Sequence, residues 1–92
     1  MIKVNEYFDG AVKSLGFEFN GAPYTVGVVL PGEYSFGTEK EEHLTVILGE
    51  MSVRVPGENW KGIKTRETVV FPPRITFKVK TDEVVSYVCK YV

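Results

Sequence analysis

Residues 32–49, GEYSFGTEKEEHLTVILG, decide the fold of this 92-residue chain. Apolar side chains recur at every second position on both sides of a charged turn at residues 39–41, and a period of two residues is that of a β-strand. Glu42 follows the turn and stands seven places before Gly49, where the second strand ends. The stretch therefore predicts two consecutive strands, the second of which begins with a carboxylate.

The same alternation continues through the rest of the chain. Gly and Pro interrupt it at intervals of roughly ten residues, as in closed or double-sheet β folds. Almost no segment has the three- to four-residue period of a helix, so the chain is predicted to be all-β and to form one domain over residues 1–92. The predicted strands cover residues 15–19, 25–30, 34–38, 44–48, 51–55, 68–71, 75–79 and 84–92.

Composition limits the partners. Eleven Lys and Arg residues against twelve Asp and Glu residues give a net charge of −1, without the basic surplus that phosphate-driven nucleic-acid binding requires. The single Cys89 cannot form an internal disulfide, no leader-like segment precedes the first strand, and no apolar run reaches the roughly 20 residues that cross a bilayer. We expect a cytoplasmic protein with no membrane partner, and its small core favours a homodimer.

The spacing of Glu42 and Gly49 resembles the end of the first cupin motif. That motif reads Gly-x5-His-x-His, then three or four residues, then Glu-x6-Gly. The fold implied is a small single-domain cupin, an RmlC-like jelly-roll barrel. The histidine positions fall on Phe36 and Thr38, or one place earlier, and no His, Cys or Asp occupies either register.

The second cupin motif, Gly-x5-Pro-x-Gly-x2-His, is anchored by Pro72. Arg66 then stands in place of its first glycine and Phe77 in place of its histidine. Three of the four metal ligands are thus missing from the chain. This argues against a metal-dependent cupin oxygenase or isomerase, and we expect neither a metal nor a cofactor.

Strand parity predicts an aromatic pocket with one carboxylate. If Glu42 points inward, His43 points outward and is a surface residue. The inward positions are then Tyr34, Phe36, Glu42, Leu44, Val46, Leu48, Phe77, Tyr87, Cys89 and Tyr91.

The whole chain is similar to the pyrimidine/purine nucleoside phosphorylase family of small bacterial cupins. That resemblance implies phosphorolysis of many nucleosides, with inorganic phosphate as co-substrate, by a homodimer. The chain departs from the family at Arg66 and at residues 71–75, FPPRI. We therefore expect the rim of the pocket near Arg74, and with it the substrate preference, to differ from relatives more than the fold does. The resemblance rests on NEYFDG at residues 5–10, VKSLGF at 12–17, GEYSF at 32–36, LTVILG at 44–49 and SYVCKY at 86–91.

Phosphorolysis passes through an oxocarbenium-like transition state, so it needs a group for the ribose, a surface for the base, a donor for the departing base and a site for phosphate. We assign Glu42 to the ribose hydroxyls, and Tyr87 or Tyr91 as the donor to the base or to phosphate. The predicted catalytic residues are Glu42 and Tyr87. The predicted substrate-binding residues are Tyr34, Phe36, Thr38, Phe77, Tyr91 and Arg74.

The phosphate ligand stays open. Arg74 lies at a strand start near the predicted mouth, whereas Lys90 faces outward if its neighbours Cys89 and Tyr91 face inward. The further candidates are Lys13, Arg54 and a nest of backbone N–H groups near Gly32 or Gly37.

Each assignment has a structural alternative. Phe36 and Phe77 could be plain core residues, Glu42 could belong to a solvated turn, Cys89 is read as a small buried hydrophobe, and Trp60 is read as a loop anchor or interface residue. A non-catalytic cupin that binds a nucleoside or a sugar as a sensor would share the pocket. The sequence does not separate that sensor from the phosphorylase.

Overall fold

Ten strands and one short 3₁₀ turn form the protein in the computed structural model, which describes all 92 residues. The prediction of an all-β chain is confirmed. The 3₁₀ turn covers Phe8–Gly10, between β1 and β2. The strands are β1 Lys3–Tyr7, β2 Val12–Phe19, β3 Ala22–Val29, β4 Gly32–Gly37, β5 Glu42–Leu48, β6 Met51–Arg54, β7 Lys61–Ile63, β8 Thr68–Phe71, β9 Thr76–Thr81 and β10 Val85–Tyr91.

The strands form two antiparallel sheets. The larger sheet has the order β1-β2-β3-β10-β5-β8, and the smaller has the order β4-β9-β6-β7. Strand β5 pairs with both β10 and β8, and β4 pairs with β9, so the strand before the charged turn and the strand after it lie in different sheets. Glu42, the first residue of β5, therefore lies where the chain crosses from one sheet to the other.

The core comes from the alternate side chains of both sheets. On β5, Leu44 and Val46 are buried while Thr45 between them is only partly buried. On β9, Phe77 and Val79 are buried while their neighbours are exposed. Burial of one face per strand is what the period-two pattern predicts, and it places the functional candidates of β5, β9 and β10 on the inner faces.

Two strands and one side-chain direction were not predicted correctly. Strands β1 and β7 were missed, and β7 has only three residues, too few to show alternation. Leu48 was expected to point inward but is exposed. A bulge explains this error: Ser86 pairs with Leu48 and Tyr87 with Val46, so Ile47 has no partner on β10 and the alternation shifts after Val46.

The outer faces of the two sheets differ in chemistry. On the larger sheet one row of paired residues crosses all six strands, and its first three members are exposed apolar side chains. On the smaller sheet the outer face pairs Glu33 with Lys80, and Ser35 and Arg54 with Lys78. The row on the larger sheet, called the outer apolar row below, consists of Val4, Leu15, Val26, Val88, Thr45 and Thr68.

No helix of the structure has the length and apolar character needed to span a membrane.

Candidate functional site

The two sheets enclose a cavity of about 780 Å³, lined by 18 residues of which 11 are hydrophobic. A concave, mostly apolar cavity with a few polar groups is the usual form of a small-molecule site, and this volume is within the range of such sites. Its polar lining includes Glu42 from β5 and the hydroxyls of Tyr87 and Tyr91 from β10. The two tyrosines of β10 therefore face the same cavity as the Glu42 carboxylate.

Five of the eight predicted site residues line this cavity, and three do not. Those that line it are Glu42, Tyr87, Phe36, Phe77 and Tyr91.

Tyr34, Thr38 and Arg74 lie outside the cavity lining. Tyr34 is buried, and its hydroxyl donates to the carbonyl oxygens of Leu30 at 2.9 Å and Pro31 at 3.2 Å. The buried Thr38 hydroxyl donates to the Pro72 carbonyl oxygen at 2.8 Å and thereby fastens the end of β4 to the proline pair. Arg74 is exposed on that loop, and only its backbone N–H is engaged, donating to the Thr38 carbonyl oxygen at 2.9 Å.

Glu42 is the only acidic residue of the chain that is buried, with 9% of its surface exposed. Burial raises the pKa of its carboxyl above the ordinary value of 4.5, and a hydrogen bond lowers it in part. The donor is the Cys89 thiol, which lies 3.6 Å from the Glu42 Oε1 atom. Burial and the neighbouring Glu42 charge raise the pKa of that thiol to about 12, so Cys89 remains a protonated donor at neutral pH.

The two tyrosines of β10 are held on either side of Cys89 along one strand face. The Tyr87 ring lies over Gly27 of the paired strand β3, where a β-carbon would come within 2.5 Å of the ring. The Tyr91 hydroxyl is 3.1 Å from the Thr25 hydroxyl. Burial, with the Cys89 charge second, raises the pKa of Tyr87 to about 12, and burial also raises the pKa of Tyr91. Both hydroxyls are therefore neutral donors at physiological pH.

An aromatic series connects the cavity to the core. The Phe36 ring lies 5.8 Å from the Phe77 ring, and Phe77 stacks on the fully buried Phe71 with centroids 3.8 Å apart. Phe77 thus has one face occupied by the core, whereas Phe36 is only partly buried. Of the two, Phe36 has the surface available to a ligand.

The positions that hold the metal in other cupins do not fit a metal ion here. Phe36 and Phe77 carry no donor atom, and the Thr38 hydroxyl is engaged with the loop carbonyls. No three His, Cys, Asp or Glu side chains come together as a metal-binding group. His43 points away from the cavity, with its Nε2 atom 2.8 Å from the Glu41 carboxylate.

Lys40 is the only basic residue that lines the cavity. It belongs to the charged turn between β4 and β5 and is exposed. None of the four basic residues predicted as phosphate ligands lines the cavity. Lys13 lies 4.0 Å from the Glu6 carboxylate, and the Arg54 Nε–H donates to the Glu58 carbonyl oxygen at 3.0 Å.

Sequence reasoning missed several residues of the lining, among them Tyr7, Phe8, Ser14 and Lys40. Tyr7 and Phe8 lie where β1 turns into the 3₁₀ segment, so strand parity could not place them. The available signal was that they belong to NEYFDG, one of the segments that carry the family resemblance. Ser14 is buried and accepts a hydrogen bond from the Asn5 side-chain amide at 3.2 Å.

Burial of Glu42 predicts a pH-dependent stability. A folded-state pKa raised above the unfolded value of 4.5 means that the folded form binds its proton more tightly. This contribution to stability is fully present below pH 4.5 and is lost as the pH rises through the folded-state pKa. The neutral Glu42→Gln variant lacks this loss, so its melting temperature should gain on that of the wild type between pH 4.5 and 8.

Thermal unfolding of both proteins across that range measures the difference. Glu33→Gln, at an exposed position of β4, is the matched control and should run parallel to the wild type. A gap between Glu42→Gln and the wild type that stays constant with pH would contradict the assignment.

Comparisons with known proteins identify the family of the chain and agree with its fold. The family model "Pyrimidine/purine nucleoside phosphorylase" matches residues 2–91. A relative with that name from Magnetococcus marinus is 44% identical to this chain, over 99% of both proteins. Another, from Pseudomonas entomophila, is 45% identical, over 99% of this chain and 98% of the relative.

Solved structures show the same architecture. A Vibrio parahaemolyticus protein of unknown function superposes with a TM-score of 0.97 at 40% identity, covering 100% of this chain and 99% of its own. A cupin-2 domain from Rhodospirillum rubrum superposes with a TM-score of 0.75 at 17% identity, covering 97% of this chain and 68% of its own. The predicted cupin fold is thereby confirmed, and the chain belongs to the pyrimidine/purine nucleoside phosphorylase family.

Proposed function

We propose that this protein cleaves purine and pyrimidine nucleosides with inorganic phosphate, giving the free base and ribose 1-phosphate. A phosphate oxygen forms the new bond to the sugar C1′ as the C1′–N bond to the base breaks, and the electron pair of that bond leaves with the base. The observation that carries the proposal is the cavity of this family member, in which one buried carboxylate lies among neutral hydroxyl donors and aromatic rings.

Glu42 suits the sugar end of this reaction. The transition state places positive charge on the ribose ring, as in glycoside hydrolysis, and a carboxylate in a poorly solvated site interacts with that charge more strongly than it would in water. It also accepts hydrogen bonds from ribose hydroxyls. A bound nucleoside would supply the donors that Cys89 supplies alone in the free protein.

Tyr87 and Tyr91 suit the departing base or the phosphate. Their raised pKa values keep both phenols protonated, so each can donate a hydrogen bond to the negative charge that develops on the base or to a phosphate oxygen. Gly27 and Thr25 fix one tyrosine each, which limits the reorganisation required during the reaction.

Broad base specificity is part of the proposal, and the side chains of the cavity lining support it. None of its lining residues is Asn, Gln, Asp, Arg or His, so few side chains are suited to read the edge of one base by paired hydrogen bonds. Aromatic rings stack on any base, since every base has a π-face. Catalysis without a metal is part of the proposal, because the cupin ligand positions carry no suitable donor set.

Inorganic phosphate is assigned to the end of the cavity nearest Lys40, the one basic residue of the lining. The adjacent Glu39 also lines the cavity and would repel phosphate, so phosphate would bind there weakly in the absence of a nucleoside. Weak binding is compatible with a co-substrate.

A homodimer through the larger sheet is also proposed. Within the outer apolar row, Val4, Leu15 and Val26 are 68%, 45% and 38% exposed, whereas the outer face of the smaller sheet is charged. An apolar face of this kind marks an association site, and a second copy presents the same face to it. A cytoplasmic location and the absence of a nucleic-acid partner stay predictions of the sequence.

The activity is tested by base release from uridine, cytidine, thymidine, adenosine and guanosine, each with and without phosphate. We expect release only with phosphate, with the pentose 1-phosphate as co-product, from both classes of nucleoside. Chelator-treated protein should retain its activity, and Glu42→Gln should lose most of it. Release without phosphate would indicate a hydrolase, and binding without release would indicate the sensor.

Lys40→Ala tests the phosphate assignment in the same assay. The KM for phosphate should rise several-fold while the KM for the nucleoside changes little, because a single charge contact to phosphate is lost. Lys90→Ala is the matched control, as this lysine is exposed and does not line the cavity. Equal phosphate KM values for the two variants would remove Lys40 from the site.

Sedimentation velocity tests the dimer. The wild type should sediment as a dimer at micromolar concentration, and Leu15→Glu should sediment as a monomer, because it introduces a charge between Val4 and Val26 in the outer apolar row. Lys78→Glu changes a charge on the outer face of the smaller sheet and should leave the dimer intact. A wild-type monomer, or a dimer broken only by the second variant, would refute this interface.

A further inference from the structure

The segment at residues 5–10, NEYFDG, has no role in the function described so far, although it forms one side of the cavity. Tyr7 and Phe8 both line the cavity and remain 43% and 48% exposed. They are therefore not core residues, and the fold leaves their rings accessible from the cavity side. The side chains preceding them have a structural role, since Asn5 bonds to Ser14 on the neighbouring strand.

The backbone of this segment is strained. Phe8, Asp9 and Gly10 have φ values of 54°, 55° and 89°, three consecutive residues in the left-handed region. Only glycine adopts this region without hindrance, so a phenylalanine there is unfavourable. Strained residues of this kind persist where the surrounding structure holds them, and they are concentrated at functional sites.

Burial does not explain why a phenylalanine occupies this strained position, because about half of the Phe8 side chain is exposed. Instead, the left-handed turn sets the orientation of the Phe8 ring. Phe8 lies 5.6 Å from Phe36 and 5.1 Å from Tyr34, and Tyr7 lies 5.9 Å from Phe36. Both Tyr7 and Phe8 stand nearly perpendicular to the Phe36 ring, at 88° and 87°. The rings of Tyr7, Phe8 and Phe36 therefore form an aromatic cluster whose flat faces point in more than one direction.

We propose that Tyr7 and Phe8, held over Phe36 by the left-handed turn, are the base-binding wall of the site and determine how strongly purines and pyrimidines bind. This inference rests on the proposed function and assigns its base subsite. Flat apolar rings bind a base through its π-face, which is common to all nucleobases. A purine covers more ring surface than a pyrimidine, so the wall favours purine nucleosides.

Direct binding separates this inference from the activity. Isothermal titration calorimetry without phosphate measures the Kd of guanosine and of uridine for the wild type and for Phe8→Ala. We expect the Kd of Phe8→Ala for guanosine to rise roughly tenfold, within the span of stacking contributions to base binding, and its Kd for uridine to rise less. Phe8→Tyr retains the ring and should bind within about twofold of the wild type.

Two further variants guard against a purely structural effect. Phe8→Leu keeps the apolar volume without the flat ring and should weaken binding as Phe8→Ala does. Phe19→Ala removes another exposed phenylalanine, at the end of β2 and outside the cavity lining, and should leave both Kd values unchanged. In turnover, Phe8→Ala should raise the nucleoside KM and preserve kcat, because stacking binds the ground state and the transition state alike.

The outcomes distinguish the two proposals. Weaker guanosine binding by Phe8→Ala and Phe8→Leu, without any phosphorolysis by the wild type, would refute the phosphorylase and support the wall. Phosphorolysis with an unchanged nucleoside Kd in both variants would refute the wall and support the phosphorylase. A wild type that binds neither guanosine nor uridine would overturn the wall directly.

Discussion

The site depends on the burial of one carboxylate. Glu42 stands where the chain crosses between sheets, and a buried ionised group is unfavourable unless it is hydrogen-bonded. In the free protein its hydrogen-bonding partner is the Cys89 thiol at 3.6 Å, a weak donor. In the proposed function, a sugar that offers two hydroxyl groups would give this carboxylate stronger donors than the thiol. The residue whose burial lowers stability is, in the proposed function, also the one that binds the sugar, a common trade-off between stability and activity.

The neighbours of Glu42 follow from sheet pairing. Strand β10 lies between β3 and β5, so its inward residues are fixed from both sides. Tyr87 fits because residue 27 of β3 has no side chain, and Cys89 meets the carboxylate because its strand pairs with β5. Strand β5 contributes Glu42 and Leu44 to the cavity lining. The Ile47 bulge ends the alternation of β5 after Val46, so Leu48 is exposed to solvent.

The sequence predicted those parts of the fold that depend on alternation and on turn residues. The inward faces of β5, β9 and β10 came from a period of two, and so did the grouping of Glu42, Tyr87 and Tyr91. It could not place Leu48, because a bulge depends on pairing with a partner strand that is distant in the chain. It could not place Tyr7 and Phe8 either, because the left-handed turn at residues 8–10 has no periodic pattern. Tyr34 and Thr38 have the right parity, but their hydroxyl groups bond to loop carbonyls outside the cavity.

Aromatic side chains occupy metal-ligand positions of the cupin motifs in this chain. In one of the two registers allowed by the first motif Phe36 takes a histidine position, and Phe77 takes that of the second motif. The rings of both link the cavity to the stacked Phe71 in the core. The register between strands decides which side chains meet inside the barrel. It can therefore bring aromatic rings together as well as it brings metal ligands together. The rings of Tyr7 and Phe8 pack against Phe36. Glu42 is the one residue that keeps the chemical type of a cupin ligand. In the proposed function, a fold that holds a metal ion in other cupins would instead bind a planar base beside a carboxylate, with the same backbone architecture.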